Sequence, residues 1–179
     1  MKKVFAVTAA LALLGLSIAA QADVFNLGTG FTNLETVPVG DPGNAGEVSG
    51  GVYGATDRIC GSVGYNYRVG KYEVTAKQYT DFLNAKAKSD PYGLYIISMW
   101  DTSAGCKILQ SGTSGNFSYS VASDYANRPV NCVSFWDACR FANWLGNGQG
   151  NGDTENGAYT IPNGYNGIDG RTIQRNAGW

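Results

Sequence analysis

Residues 128–145 read RPVNCVSFWDACRFANWL, and no other part of the chain carries so regular a pattern. The first six residues predict a short strand. Ser134 then predicts the start of a helix, with Asp137 three residues on, because a serine hydroxyl can accept a hydrogen bond from a backbone N–H of the first turn. Apolar side chains follow at spacings of three and four, which predicts a helix over about 134–145 with one buried face. Gly146 is a natural left-handed end for that helix.

An earlier segment has the same strand-then-helix design. Apolar and polar residues alternate over 65–74, which predicts a half-buried strand. Thr75 follows, and Gln78 stands three residues later, so the two side chains fit a capping box. Apolar residues at helical spacing then predict a helix over about 75–88, which Ser89-Asp90-Pro91 ends.

The remaining sequence favours turns and short strands. Glycine occurs 25 times in 179 residues and only 15% of residues are charged, a composition typical of irregular, loop-rich structure. Short extended pieces are predicted over 31–39, 116–121, 158–162 and 171–175. The tyrosines of the middle segment could line a binding surface, but half-burial with a solvated hydroxyl is the commoner arrangement.

The N-terminal residues predict a signal peptide. Lys2 and Lys3 precede an apolar run over 4–20, and a small-x-small pattern places the cleavage between Ala22 and Asp23. The run is slightly short for a transmembrane helix, which needs about 20 apolar residues. We therefore expect an exported protein, periplasmic, extracellular or at the cell surface, with no membrane segment after signal removal.

Charge and residue type exclude several classes of function. The 13 basic and 14 acidic residues form no basic stripe, so nucleic acid is not an expected partner. The chain has no histidine, so we expect no zinc or haem site of the usual kinds and no nucleophile activated by a histidine base. The acidic residues are scattered, and we assign no catalytic, cofactor-binding or metal-binding residue.

The four cysteines allow three disulfide connectivities. We predict a pair between Cys60 and Cys106. Cys132 and Cys139 would lie about 10 Å apart if both were helical, which is beyond disulfide reach. The alternative is that some or all of the four are small buried apolar residues.

The Gly/Asn-rich residues 147–157 allow a calcium interpretation, since hard cations bind clustered carboxylate, amide and carbonyl oxygens. The segment does not fit the EF-hand pattern, because Ala158 stands where the bidentate glutamate is required. A flexible surface loop is the simpler interpretation.

Two segments together resemble the formylglycine-generating enzyme (sulfatase-modifying factor) family. One runs over 69–75 and continues into 78–84, and the other is 128–138 continuing to 141–145. The resemblance covers about residues 53–179, after the signal peptide over 1–22 and a strand-and-turn segment over 23–52. It implies an α+β, C-type-lectin-like fold with two main helices on small, irregular antiparallel sheets.

The resemblance also implies a chemistry. Members of the family oxidise a sulfatase cysteine to formylglycine, using molecular oxygen and a copper(I) ion held by two thiolates, a soft-metal choice. In the family the second helix leads to a Pro-[ST]-Glu-x-Glu-Trp helix, calcium-binding loops, an Arg-Gly-Gly-Ser-Trp strand and the reactive cysteines. This sequence contains none of these, so we expect the N-terminal portion of the domain, with copper and calcium belonging to a complete member only.

Two functional hypotheses follow from the sequence. The first is an exported protein with a partial sulfatase-modifying-factor domain, whose partner would be a sulfatase or another exported protein. The alternative is a non-catalytic, lectin-like binding module for a glycan or a protein, which depends on fold analogy alone. Half a domain would leave apolar faces uncovered, so a chain that does not fold alone is compatible with the first hypothesis.

Overall fold

The computed structural model describes residues 23–25, 30–49, 58–162 and 173–177. In these residues nine short strands and three helices follow one another in the order β1 (Asp23–Phe25), β2 (Leu34–Val39), β3 (Glu47–Ser49), β4 (Arg58–Cys60), β5 (Tyr67–Gly70), α1 (Ala76–Lys86), α2 (Ser98–Asp101), β6 (Ile108–Ser111), β7 (Ser118–Val121), α3 (Phe135–Gly146), β8 (Tyr159–Thr160) and β9 (Gln174–Arg175). Among these residues no helix is both long and apolar enough to cross a bilayer.

The strands form small antiparallel sheets. The largest has the order β1-β2-β5, and three two-stranded sheets pair β3 with β4, β6 with β7, and β8 with β9. In the β6–β7 pair Ile108 lies opposite Val121, which places the fully buried Ile108 against the helices. Small antiparallel sheets beside helices make an α+β architecture, as the sequence predicts.

Helix α1 begins with a complete capping box. The Thr75 hydroxyl accepts a hydrogen bond from the Gln78 backbone N–H at 3.2 Å, and the Gln78 side-chain oxygen accepts from the Thr75 N–H at 2.8 Å. The two bonds satisfy backbone donors that have no partner within the helix. The helix ends at Lys86, two residues before the predicted end.

Helix α3 begins in the same way. The Ser134 hydroxyl accepts from the Asp137 N–H at 3.2 Å, and Asp137 Oδ2 accepts from the Ser134 N–H at 3.0 Å. Its C-terminal end differs from the prediction. Gly146 is the last helical residue and not a left-handed end; Asn147 caps the helix at φ −86°, and left-handed backbone begins at Gly148.

The core lies between α1 and α3. Four aromatic rings meet there in five contacts with centroids 5.3–6.1 Å apart. Three of these contacts involve Phe82, which has no exposed surface. The four rings are Tyr79, Phe82, Phe141 and Trp144. Such pairs stabilise by about 0.5–1.5 kcal/mol each beyond the burial of their area. The apolar spacing therefore identifies the buried face of α1 and the later part of the α3 face, but it is wrong at the start of α3, where Phe135 is 65% exposed and Ala138 is also exposed.

One predicted strand is absent and another is shorter than predicted. The segment 128–133 makes only a single bridge, between Thr75 and Pro129, because Cys132 turns into left-handed backbone at φ 58° and breaks the extended path. The strand predicted over 65–74 is limited to β5, whose four residues are all exposed, so the predicted half-burial is wrong. The short α2 was not predicted. The signal peptide and its cleavage at Ala22 lie outside the described residues, which start at Asp23.

The hydrogen bonds of the two capping boxes contribute measurably to the free energy of unfolding. Ser134→Ala removes the hydroxyl acceptor at the start of α3 and is expected to lower the free energy of unfolding by about 1 kcal/mol. Thr75→Ala is expected to act similarly on α1. Urea denaturation measures both. Ser134→Thr keeps an acceptor and should stay near wild type, as should Ser123→Ala at an exposed serine; equal losses in all four variants would contradict the assignment.

Candidate functional site

The most deeply buried charge of the described residues is Arg140, on α3, which has no exposed surface. Its Nε donates a hydrogen bond to Glu155 Oε1 at 2.7 Å, and its Nη2 donates to Glu155 Oε2 at 3.0 Å. The planar guanidinium fork matches both carboxylate oxygens at once, which is the strongest geometry for such a pair. Glu155 stands in the loop after α3, so the ion pair joins the loop to the helix.

Further groups complete the burial of this pair. The Arg140 guanidinium carbon lies 4.3 Å from the centroid of the Tyr92 ring, a cation–π contact. Thr154 donates its hydroxyl hydrogen to Glu155 Oε1 at 3.0 Å. A buried ion pair is tolerated only where such additional contacts replace the lost water. The pair, the ring and the hydroxyl therefore form one polar centre inside the domain.

Two asparagines shape the loop over 147–157: Asn143 on α3 and Asn147, which caps the end of that helix. Asn143 donates to the carbonyl oxygens of Thr154 and Tyr159 at 2.8 and 2.9 Å, and its own Oδ1 accepts from the Tyr159 N–H at 2.8 Å. Asn147 donates to the carbonyl oxygens of Asp153 and Asn156, both at 2.7 Å. Side-chain amides thus satisfy the loop carbonyls that a cation would otherwise bind.

The loop lies partly at the surface, where Gly148, Gly150, Asn151, Asp153 and Asn156 are exposed, but three of its residues are buried. Gln149, Thr154 and Glu155 are all buried, with 4%, 5% and 7% of their surface exposed. The calcium interpretation also finds no ligand set here, since the Glu155 carboxylate is bound by Arg140. Among the described residues no group of three or more His, Cys, Asp or Glu side chains comes together.

Asp153 organises the turn of this loop. Its Oδ1 accepts from the Glu155 backbone N–H at 2.8 Å, and its Oδ2 accepts from the Asn156 side-chain amide at 3.2 Å. The hydrogen bond from the Glu155 N–H is the main reason that the pKa of Asp153 lies below its ordinary value. The carboxylate is therefore used to hold the turn in front of Glu155.

An open cleft lies between α1, the segment before β2 and the loop, with a volume of about 420 Å³. Gln149 closes one wall: it donates to the Thr32 carbonyl at 2.7 Å and accepts from the Thr32 N–H at 2.8 Å. Lys77 and Asp81 pair across one turn of α1 at 2.5 Å, and Phe31 is 43% exposed at the rim. A ligand in the cleft would contact Lys77, Asp81 and Phe31.

The structure holds all four cysteines as free thiols. The predicted Cys60–Cys106 disulfide is absent: Cys60 is exposed at the end of β4, whereas Cys106 is 3% exposed in the main core. Cys132 is exposed. Cys139 lies in a second buried cluster with Ile161, and burial raises the pKa of its thiol. Cys60, Cys106 and Cys139 thus occupy separate parts of the molecule.

The chain matches the model of the sulfatase-modifying factor enzyme 1-like domain over residues 60–166, which is more than half of its length. It belongs to the sulfatase-modifying factor family. No curated protein and no solved structure matches the chain. The resemblance read from the two strand-and-helix segments is therefore confirmed. In this member of the family the match includes both capped helices, the β6–β7 sheet and the whole loop over 147–157.

The Arg140–Glu155 centre is the feature that sequence reasoning missed. Arg140 stands between Cys139 and Phe141, inside a helix whose other members predict burial. A charged residue in such a position requires a partner of opposite charge, because burying an unpaired charge is costly. The need for such a partner could have indicated an ion pair, but the partner, Glu155, lies in a loop that the sequence composition assigns to the surface.

Breaking the ion pair should destabilise this family member strongly. Arg140→Met and Glu155→Met each leave an uncompensated buried charge and are expected to lower the free energy of unfolding by about 3–5 kcal/mol. The double variant Arg140→Met/Glu155→Met is expected to lose less than the sum of the single changes. Urea denaturation in a double-mutant cycle measures the coupling.

The exposed pair of Lys77 and Asp81 is the matched control for this cycle. Both side chains are partly solvated, with 56% and 39% of their surface exposed, so their coupling should stay below about 1 kcal/mol. Equal coupling energies for the two pairs would contradict a special role for the buried centre.

Proposed function

We propose that this protein is an exported member of the sulfatase-modifying factor family, and that residues 60–166 form the structural framework of its domain. In this proposal the framework supports oxidation of a cysteine in an exported sulfatase or a similar partner, and none of the four cysteines of this chain is assigned to the oxidising copper. The match over 60–166 is the observation that carries the proposal.

The use of the carboxylates supports a framework role. Asp137 caps α3, Asp153 holds the loop turn, and Glu155 pairs with Arg140. Asp90 accepts hydrogen bonds from the backbone N–H groups of Leu94 and Tyr95 at 2.8 and 3.1 Å. Each of these groups holds backbone or a buried charge, and a general acid or base must instead reach the reacting atoms of a substrate.

Cys139, Cys106 and Cys60 do not bring two thiolates together, as the copper site that the family implies would require. Copper(I) in the family is held by two thiolates, which are the ligand form of cysteine. Burial raises the pKa of Cys139 and so favours its neutral thiol. Cys106 is 3% exposed, and its sulfur lies 3.9 Å from the Asn131 carbonyl oxygen, which can accept a hydrogen bond from the thiol. Cys60 lies apart, on β4.

The fold supports the same proposal at a coarser level. Small antiparallel sheets beside two capped helices are compatible with a C-type-lectin-like domain, in which much of the chain is loop. Fold alone does not determine function, so this likeness is support and not proof.

The N-terminal sequence supports export. A basic pair, an apolar run and a small-x-small site precede Asp23. When the full chain is expressed in a bacterial host, we expect the protein in the exported fraction with Asp23 as its first residue, as measured by intact-mass spectrometry. Replacement of Ala20 and Ala22 by Leu is the control and should leave the precursor uncleaved. Wild-type protein retained in the cytoplasm with its first residues intact would contradict the proposal.

The framework role predicts that the chain from Asp23 to Trp179 is not an oxidase by itself. Supplied with cuprous ion, oxygen, a reductant and a cysteine-containing sulfatase peptide, it should give no formylglycine by mass spectrometry. Its circular dichroism spectrum and thermal transition show in parallel whether the sample is folded. Formation of formylglycine that is lost in Cys106→Ser or Cys132→Ser would place the chemistry in the described residues and overturn the proposal.

A second candidate function has one supporting observation. The cleft between α1 and the loop could hold a polar ligand, as expected of a non-catalytic module for a glycan or a protein. Two of its polar walls are already occupied, since Asn84 bonds the Tyr119 backbone and Gln149 bonds the Thr32 backbone. Few groups remain for a ligand, so this candidate ranks second.

A further inference from the structure

Two cysteines that are far apart in sequence share one neighbourhood. The Cys106 sulfur lies 3.9 Å from the carbonyl oxygen of Asn131, and Cys132 is the next residue. Standard peptide dimensions place a carbonyl oxygen about 3 Å from the next Cα. The Cys106 sulfur therefore lies at most about 7 Å from the Cys132 Cα.

A second contact aligns the two segments. The Asn131 side-chain amide donates a hydrogen bond to the Ala104 carbonyl oxygen. Asn131 thus contacts both Ala104 and Cys106. The segment that leads into β6 therefore lies beside the segment that leads into α3. Disulfides require Cα atoms roughly 4.4–6.8 Å apart, and this alignment places the two cysteines on neighbouring stretches of the chain.

The backbone at this place is bent in both segments. Cys132 has φ 58° and Lys107, which follows Cys106, has φ 59°. A non-glycine residue adopts left-handed backbone only at an energetic cost, and it persists where surrounding contacts require it. Both bends lie at or next to one of the two cysteines.

We propose that Cys106 and Cys132 form an intramolecular disulfide in the exported protein. The inference rests on the proposed export, because disulfides form and persist in oxidising compartments and are rare in the cytosol. The bond would link the chain that leaves α2 to the chain that enters α3. It would hold Asn131 in place and, through it, the start of the capped helix.

The reaction is thiol–disulfide exchange with a small-molecule or protein disulfide as oxidant. The exposed Cys132, as its thiolate, attacks one sulfur of the oxidant, which forms a mixed disulfide and releases one thiol. The Cys106 thiolate then attacks the Cys132 sulfur and releases the second thiol. The protein loses two electrons and two protons, and the oxidant disulfide gains them as two thiols.

The other described cysteines are placed less well for this reaction. Cys60 is exposed at the end of β4, opposite Glu47 of β3. Cys139 is 3% exposed and packs with Ile161 in the second buried cluster, away from the main core that contains Cys106. The pairing of Cys106 with Cys132 therefore replaces the Cys60–Cys106 pair predicted from the sequence.

The test uses the purified chain from Asp23 onward, first fully reduced and then treated with glutathione disulfide. We expect wild type to lose two of its four thiols, with a non-reducing peptide map that links the Cys106 peptide to the Cys132 peptide. Oxidised wild type should also melt at a higher temperature than reduced wild type, because the cross-link restricts the unfolded chain.

Two variants at exposed cysteines make a matched comparison. Cys132→Ser should give no link to Cys106 and no rise in melting temperature on oxidation, whereas Cys60→Ser should behave like wild type in both measurements. A link between any other pair, or glutathione adducts without a protein disulfide, would overturn the proposal. Because the oxidation is performed in vitro, these results stand apart from the export experiment, which alone decides the compartment.

Discussion

The buried ion pair between Arg140 and Glu155 is the interaction on which the second half of the domain depends. It connects α3 to a loop that has no large apolar side chain to anchor it. The Tyr92 ring, from the segment between α1 and α2, packs on the same guanidinium. Such a pair adds little net stability compared with apolar residues of the same size, because both charges lose their water. Its effect is to constrain the loop conformation, because both carboxylate oxygens must meet the guanidinium at once.

The chain uses its polar groups in the same way elsewhere. Asparagine and glutamine side chains replace the backbone partners that a larger sheet would supply: Asn84 pairs with Tyr119 as a neighbouring strand would, and Gln149 does so with Thr32. Buried backbone N–H and C=O groups need such partners wherever regular structure ends. This explains how a loop-rich chain with small sheets still encloses a well-defined core between α1 and α3.

The features that the sequence predicts are those whose interacting residues lie within a few positions of each other in the chain. Both capping boxes and both apolar helix faces depend on spacings of three and four, so Thr75 and Ser134 could be assigned directly. The features it missed join distant residues. Thr32 and Gln149 are 117 positions apart, and Arg140 meets Glu155 across a loop. The bend at Cys132 gave no signal, because cysteine is not a residue that favours left-handed backbone.

Helix α3 separates two apolar clusters. Phe141, Trp144 and Leu145 pack into the main core, while Cys139 packs on the other side with Ile161 and the residues around β8 and β9. The β8–β9 sheet therefore reaches the rest of the described structure mainly across this helix. It follows that the sheet could detach locally while the main core stays intact, whereas loss of α3 would release both clusters together. In amide hydrogen exchange the helix should accordingly be the slowest element to become labelled.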